Sequence, residues 1–175
     1  MAEGSVTDFL SCFLFEKEGA LQGIVHALKY DGMTSMGSVL GEEIGYSLLK
    51  SESFPKPDLL IPIPLHHLKR RERGYNQSEY LCRGISRVTG VPVRSSIVRR
   101  VRYTTSQTKL NLEERRCNMD GAFRVVPRRI PEVDGKIILI VDDVITTGAT
   151  INACGNALLA AGCRKVIAAS AAVAS

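Results

Sequence analysis

Tryptophan is missing from this chain, and aromatic residues of all kinds make up only 6% of it. That scarcity argues against recognition by stacking bases on a platform of rings. The five cysteines (Cys12, Cys82, Cys117, Cys154 and Cys163) are scattered and include no Cys-x-x-Cys pair, so neither a metal site nor a disulfide framework is indicated. Long apolar runs are lacking too. The apolar stretch 9–15 is short, has no basic leader and is interrupted by Ser11, which excludes a secretory signal or a membrane span and makes the cytoplasm the expected compartment. Internal repeats, low-complexity tracts and the composition of a disordered chain are all absent, so the 175 residues are expected to form a single domain, 1–175.

What the chain does have is clustered positive charge. The net charge of +5 is modest, but basic residues gather at 69–73, 99–102, 115–116 and 124–129. Such clusters suit phosphate-rich metabolites or nucleic acid, and they equally suit a solvated basic face.

Hydrophobic periodicity lays out alternating elements. Leu21, Ile24, Val25 and Leu28 mark a first helix, closed near Gly32, and Met36, Val39, Leu40, Ile44 and Leu48 a second. Residues 58–64 read as a strand that must end by its prolines. Asn76 and Glu79 have the spacing of a capping box, ahead of a helix with Tyr80, Leu81, Ile85 and Val88 on its apolar face. A short strand at 97–101, a polar stretch and a short helix at 112–119 follow. The run 137–141 is β-branched with no polar face, as a parallel strand buried on both sides requires. Ile151, Cys154, Ala157, Leu158 and Ala161 then recur at helical spacing, and 165–171 forms a last strand rich in small residues. This order predicts an α/β fold, a doubly wound, mostly parallel sheet flanked by helices.

The most informative string is Ile138-Leu139-Ile140-Val141-Asp142-Asp143-Val144-Ile145-Thr146-Thr147-Gly148-Ala149-Thr150. In an open parallel sheet, ligands bind at the carboxyl ends of strands, where Asp142 and Asp143 are expected to emerge and accept hydrogen bonds from vicinal hydroxyls. Thr146, Thr147, Gly148, Ala149 and Thr150 then form a tight turn opening a helix, whose backbone amides hold a phosphate without a basic side chain. Gly148 permits close approach. A buried strand ending in an acidic turn with a threonine cap is the structural alternative.

This thirteen-residue string resembles, at every position, the phosphoribosyl diphosphate (PRPP) motif of type I phosphoribosyltransferases. Further strings narrow the likeness: Leu28-Lys29-Tyr30-Asp31-Gly32, Pro62-Ile63-Pro64-Leu65, Arg73-Gly74-Tyr75-Asn76-Gln77, Arg102-x-Thr104-x-x-Gln107-Thr108-x-Leu110, Glu114-Arg115-x-x-Asn118 and Gly121-Ala122-Phe123. Their order is similar to that of the ComF/GntX family, phosphoribosyltransferase-like proteins of which several are associated with natural competence or use of external DNA. Only Cys12 precedes the core, so the four-cysteine zinc module common in that family is expected to be absent here.

The resemblance implies a type I phosphoribosyltransferase fold with a small hood, and displacement of pyrophosphate from PRPP by an acceptor such as a nucleobase or amine, in nucleotide metabolism. It implies Asp142 and Asp143 at the ribose hydroxyls, and Thr146, Thr147, Gly148, Ala149 and Thr150 at the 5′-phosphate. The loop 64–74 would hold the diphosphate through Leu65 and His66, helped by Arg71 or Arg73, although His66 also reads as an ordinary exposed loop residue. Arg102, Thr104, Thr105, Ser106, Gln107 and Lys109 would belong to a flexible loop closing over the site, unless they form a plain surface hairpin. Mg²⁺ is expected to arrive on the PRPP phosphates and through water near Asp142 and Asp143, with no protein cage. Homodimers are common among such enzymes. The rival expectation is a non-catalytic member that binds single-stranded DNA or competence-protein partners through the basic clusters.

Overall fold

A parallel sheet forms where strands can be buried on both faces, and this chain supplies them. The computed structural model describes residues 4–15, 23, 26–28, 32–102 and 121–174. Its elements are β1 (Asp8–Phe15), α1 (Thr34–Lys50), β2 (Leu59–Pro62), α2 (His67–Arg73), α3 (Gln77–Thr89), β3 (Val98–Arg100), β4 (Phe123–Val125), α4 (Ile130–Val133), β5 (Ile137–Ile145), α5 (Ala149–Ala160) and β6 (Lys165–Ala174). Four strands make one sheet in the order β1-β6-β5-β2, and every pairing is parallel. β3 and β4 form a separate antiparallel ribbon.

Alternation along the strands divides the apolar residues between two cores. Ile138 and Ile140 of β5, with Leu59 and Ile61 of β2, pack with Ile151, Cys154 and Leu158 of α5 and with Val98 and Phe123 of the ribbon. Leu139 and Val141, with Leu60, face the other way onto Leu40, Ile44 and Leu48 of α1 and Leu81, Cys82 and Ile85 of α3. Helices therefore cover both faces, which is the doubly wound α/β arrangement. Among the described residues, no helix is long and apolar enough to cross a membrane.

β2 includes Pro62 rather than stopping before it. The Ile63 amide donates to Val141 O on β5 (2.9 Å), whereas the Leu60 amide donates to Pro92 O on the outer side (2.9 Å). Alternation then turns the positions of Pro62 and Pro64 outward, where a missing N–H removes no bond to β5. Residues 9–15, which carry no strand assignment from their sequence, form β1. Leu10 and Cys12 pack on the α1–α3 core, while Phe9 and Phe13 lie on the opposite, partly exposed face. Aromatics on the outward face disguise the period-2 pattern. The last strand also runs three residues past its expected end, to Ala174.

The apolar stripe of α1 differs from its expected composition. Leu40, Ile44 and Leu48 are buried, but Val39 is 52% exposed, and the inward face is completed by Gly37, Gly41 and Gly45. These glycines place α1 against the backbone of α3: a methyl on Gly41 would lie 2.1 Å from Leu81 O, and one on Gly84 would lie 2.1 Å from Ser38 O. Residues 29–31 and 103–120 lie outside the described set, and with them the helix expected at 112–119. The first helix is described only at Gly23 and 26–28, where Leu28 is fully buried.

Gly41→Ala tests this contact. Alanine improves helix propensity by about 1 kcal/mol, but overpacking against a backbone carbonyl that cannot rotate away costs about 1–3 kcal/mol, near the upper end here. A lowered urea midpoint, equivalent to a net loss of about 2 kcal/mol, is expected. Gly45→Ala meets a side-chain atom, Val88 Cβ, at 2.9 Å and is expected to cost less.

Candidate functional site

Adjacent strands β2 and β5 send their following helices to opposite faces: α3 joins the α1 side and α5 the other. A crevice opens at the carboxyl ends of strands where this happens. Here it is deepened because β5 outruns β2. The β2–β5 ladder ends at Pro62↔Val141, while β5 stays paired to β6 through Asp142↔Ser170, Val144↔Ala172 and Ile145↔Val173.

Asp142 and Asp143 therefore do not emerge at a strand end, as their sequence position suggests, but lie within β5. Strand alternation sends them to opposite faces. Asp142 has the parity of Ile138 and Ile140 and borders the crevice; Asp143 has the parity of Leu139 and Val141 and is only 4% exposed. One shallow, open concavity collects Asp142, Thr146, Thr147, Gly148, Ala149 and Thr150. Gly148 caps α5 with φ +72°, a left-handed conformation that glycine adopts without strain. The turn thus presents the first amides of a twelve-residue helix, which the helix itself cannot satisfy, beside three threonine hydroxyls.

Residues 64–74 are not an open loop. Residues 67–73 contain no glycine or proline and form α2, stopped by Gly74 at φ +82°. His66 is buried and serves as the N-cap, its Nδ1 accepting weakly from the Leu68 amide (3.4 Å). Leu65 is half-buried and Arg71 exposed. Arg73 Nη1 donates to Gln77 Oε1 (2.5 Å), and Arg70 pairs with Glu79 (3.3 Å). Glu79 therefore serves an ion pair; the cap of α3 is Asn76, whose side chain accepts from the Ser78 amide (3.2 Å). Of the expected loop residues, Arg102 is exposed just after β3, and Thr104, Thr105, Ser106, Gln107 and Lys109 lie outside the described residues.

Two further residues join the site: Ser78, which no short-range pattern picks out, and Arg100, which belongs to the basic cluster 99–102. Ser78 Oγ donates to Asp142 Oδ1 (3.2 Å) across 64 positions. Arg100, half-buried with its guanidinium carbon 5.6 Å from the centroid of the Phe123 ring, lies close enough to Asp142 and His66 for its charge to act on both; desolvation holds it below the usual arginine range, and Asp142 offsets part of that. His66, Arg100, Ser78 and Asp142 thus converge from four elements. No three His, Cys, Asp or Glu side chains gather into a metal cage among the described residues. Burial pushes the Cys163 thiol up to about 11 and raises Cys82 and Cys154 well above the ordinary thiol value, so none of these supplies a thiolate at neutral pH.

The model of the phosphoribosyl transferase domain family matches residues 77–174. Competence protein F of Haemophilus influenzae is 36% identical over 63% of this chain and 48% of its own length. The DNA utilization protein YhgH of Salmonella typhi is 33% identical over 82% of this chain and 63% of its own. The chain thus spans about half to two thirds of the relatives it matches. Among solved structures, glutamine PRPP amidotransferase from B. subtilis, in complex with ADP and GMP, superposes with a TM-score of 0.53 at 19% identity, covering 83% of this chain and 30% of that one. That likeness is one of fold.

Desolvation, then the neighbouring His67 and Arg100, hold the His66 imidazole below its ordinary range. The unfolded chain consequently takes up its proton first. Stability from neutral His66 is present above the ordinary value of about 6.5 and is lost as pH falls through it toward the lower folded value. His66→Asn keeps a capping acceptor but does not titrate. Its urea midpoint should fall less than that of the wild type between roughly pH 7 and pH 5, and parallel curves would remove His66 from this role.

Proposed function

Because the chain belongs to the phosphoribosyl transferase domain family and is a homologue of competence protein F and YhgH, we propose that it binds PRPP with Mg²⁺ and transfers the phosphoribosyl group to an acceptor, releasing pyrophosphate. The observation that carries this reading is the crevice beyond the β2–β5 ladder, with a carboxylate at one end and a glycine-capped helix start at the other.

In this reading the 5′-phosphate sits on the amides and hydroxyls of Thr146, Thr147, Gly148, Ala149 and Thr150. Asp142 accepts a ribose hydroxyl. Asp143, beneath the crevice floor, supports the site from the buried face and reaches ribose only if the strand adjusts. The diphosphate lies toward Leu65 and His66, with Arg100 the cation nearest to both His66 and Asp142, and Arg71 and Arg73 at the approach. The Asp142 carboxylate oxygens can accept hydrogen bonds from the waters that Mg²⁺ retains. The metal would supply charge neutralisation for the departing pyrophosphate. The chain's own task is to hold both ends of PRPP and to stabilise the positive ribosyl centre as it forms. Arg102, Thr104, Thr105, Ser106, Gln107 and Lys109, of which Arg102 alone lies among the described residues, are proposed to belong to a loop that closes over the diphosphate, excluding water. A nucleobase or an amine is the proposed acceptor class, and cytoplasmic nucleotide metabolism the setting.

Calorimetric titration of PRPP with and without Mg²⁺ tests the reading. Binding should require Mg²⁺ and weaken at least about tenfold in Asp142→Asn, by loss of a charge-assisted hydrogen bond. Absence of binding by the folded protein would reject it.

A specific observation favours a second reading, a factor that handles nucleic acid. Arg99 and Arg124 stand directly opposite each other in the β3–β4 ribbon, both exposed, and neither has an acidic partner among the described residues, whereas Arg94 and Arg129 share Glu132. Like charges placed so oppose each other, and a phosphate chain relieves that cost. Single-stranded oligonucleotide binding, followed by anisotropy, should then be steeply salt-dependent. Arg99→Gln/Arg124→Gln should flatten the slope by about two, while Asp142→Asn leaves it unchanged.

A further inference from the structure

The start of α3 is an anchored assembly. Asn76 Nδ2 donates to Ile63 O just past β2 (3.0 Å), Asn76 Oδ1 accepts the Ser78 amide, and Ser78 Oγ donates to Asp142 Oδ1. Asn76, Gln77 and Ser78 are all buried, Ser78 completely. A serine near a helix start ordinarily earns its place by capping. Here Asn76 caps the helix, so the Ser78 hydroxyl is released for another use.

The same Asp142 oxygen also accepts the Asp143 amide (2.9 Å). Two donors from different elements, one backbone and one side chain, therefore meet on Oδ1. Together they fix the plane of the carboxylate, and with it the direction of Oδ2. Loss of the Ser78 donor would remove one of these two constraints on the rotamer of a strand side chain at a crevice edge. Among the described residues, the charged neighbours of this carboxylate include Arg100 from the ribbon and Asp143 beside it, with the Cys154 thiol of α5 behind.

We propose that Ser78 is a positioning residue for Asp142, holding the crevice carboxylate in the orientation that receives a ribose hydroxyl. The hydroxyl partner rests on the PRPP reading given above, whereas the hold on the carboxylate does not. Ser78 touches no reacting atom. It acts through Asp142, and its contribution exists only while the side chain at 142 offers an oxygen that accepts.

A double-mutant cycle with a structural arm tests this. Mg²⁺-dependent PRPP affinity is measured for the wild type, Ser78→Ala, Asp142→Ala and the double variant. Ser78→Ala should weaken binding about tenfold alone but less than about twofold in the Asp142→Ala background. Crystal structures of the ligand-free wild type and Ser78→Ala should show the Asp142 carboxylate rotated or split between rotamers in the variant alone. Should Ser78→Ala fail to fold, the nearly isosteric Ser78→Cys, a weaker donor, replaces it in both arms. Additive losses, or a carboxylate that keeps its wild-type orientation, would overturn the proposal. If no variant and not even the wild type binds PRPP, the functional reading fails and the crystallographic arm alone decides the role of Ser78.

Discussion

The site depends on how closely two helices approach. α1 and α3 meet through Gly37, Gly41 and Gly45 on one side and Gly84 on the other; main chain touches main chain at Gly41 and Gly84, with no room for a methyl group, while Gly37 and Gly45 receive the Tyr80 and Val88 side chains. This seats α3 low enough for Ser78 to reach β5 and for Asn76 to reach the carbonyl after β2. A larger spacing would leave the α1–α3 core filled by side chains yet withdraw the donor from Asp142. Packing on one face of the sheet thus sets the electrostatics of the crevice at its edge.

The crevice itself arises from topology and strand length acting together. The opposite departures of α3 and α5 create the gap, and the four extra residues of β5 give it a floor. Nothing in that arrangement requires a particular acceptor. Relatives named for competence and for DNA utilization are similar to this chain in sequence, and a PRPP amidotransferase is similar to it in fold, so the frame alone does not fix the chemistry placed on it.

Much of this was legible before any coordinates. The continuous apolar run into Asp142, the glycine at 148 and the spacing of Ile151, Cys154 and Leu158 mark β5, its turn and α5, because they are local consequences of burial and backbone freedom. The errors share a cause. Val39 was expected inside because it is apolar, and the glycines that take the inward face carry no hydrophobic signal at all. Residues 67–73 read as a loop because their charge suggested ligand contact, yet nothing in them opposes a helix. The partnership of Ser78 with Asp142 joins residues on separate elements, and Arg100 becomes part of the site only because the ribbon folds against it. Such contacts are properties of the tertiary arrangement and leave no periodic trace.

The adjacency of Asp142 and Asp143 on opposite faces of β5 has a bearing on how this strand tolerates insertion and deletion. A slip by one position exchanges the faces of every side chain. Residues 137–141 are apolar throughout, so either frame would fill both cores, and the paired acids would still deliver one carboxylate to the crevice. The strand's own pattern therefore does not specify its frame. That task falls to its ends: at one, Asp58 and Ile137 exchange hydrogen bonds, the Asp58 amide to Ile137 O and the Ile137 amide to Asp58 Oδ2, each 2.8 Å; at the other, the left-handed turn at Gly148 locks the frame.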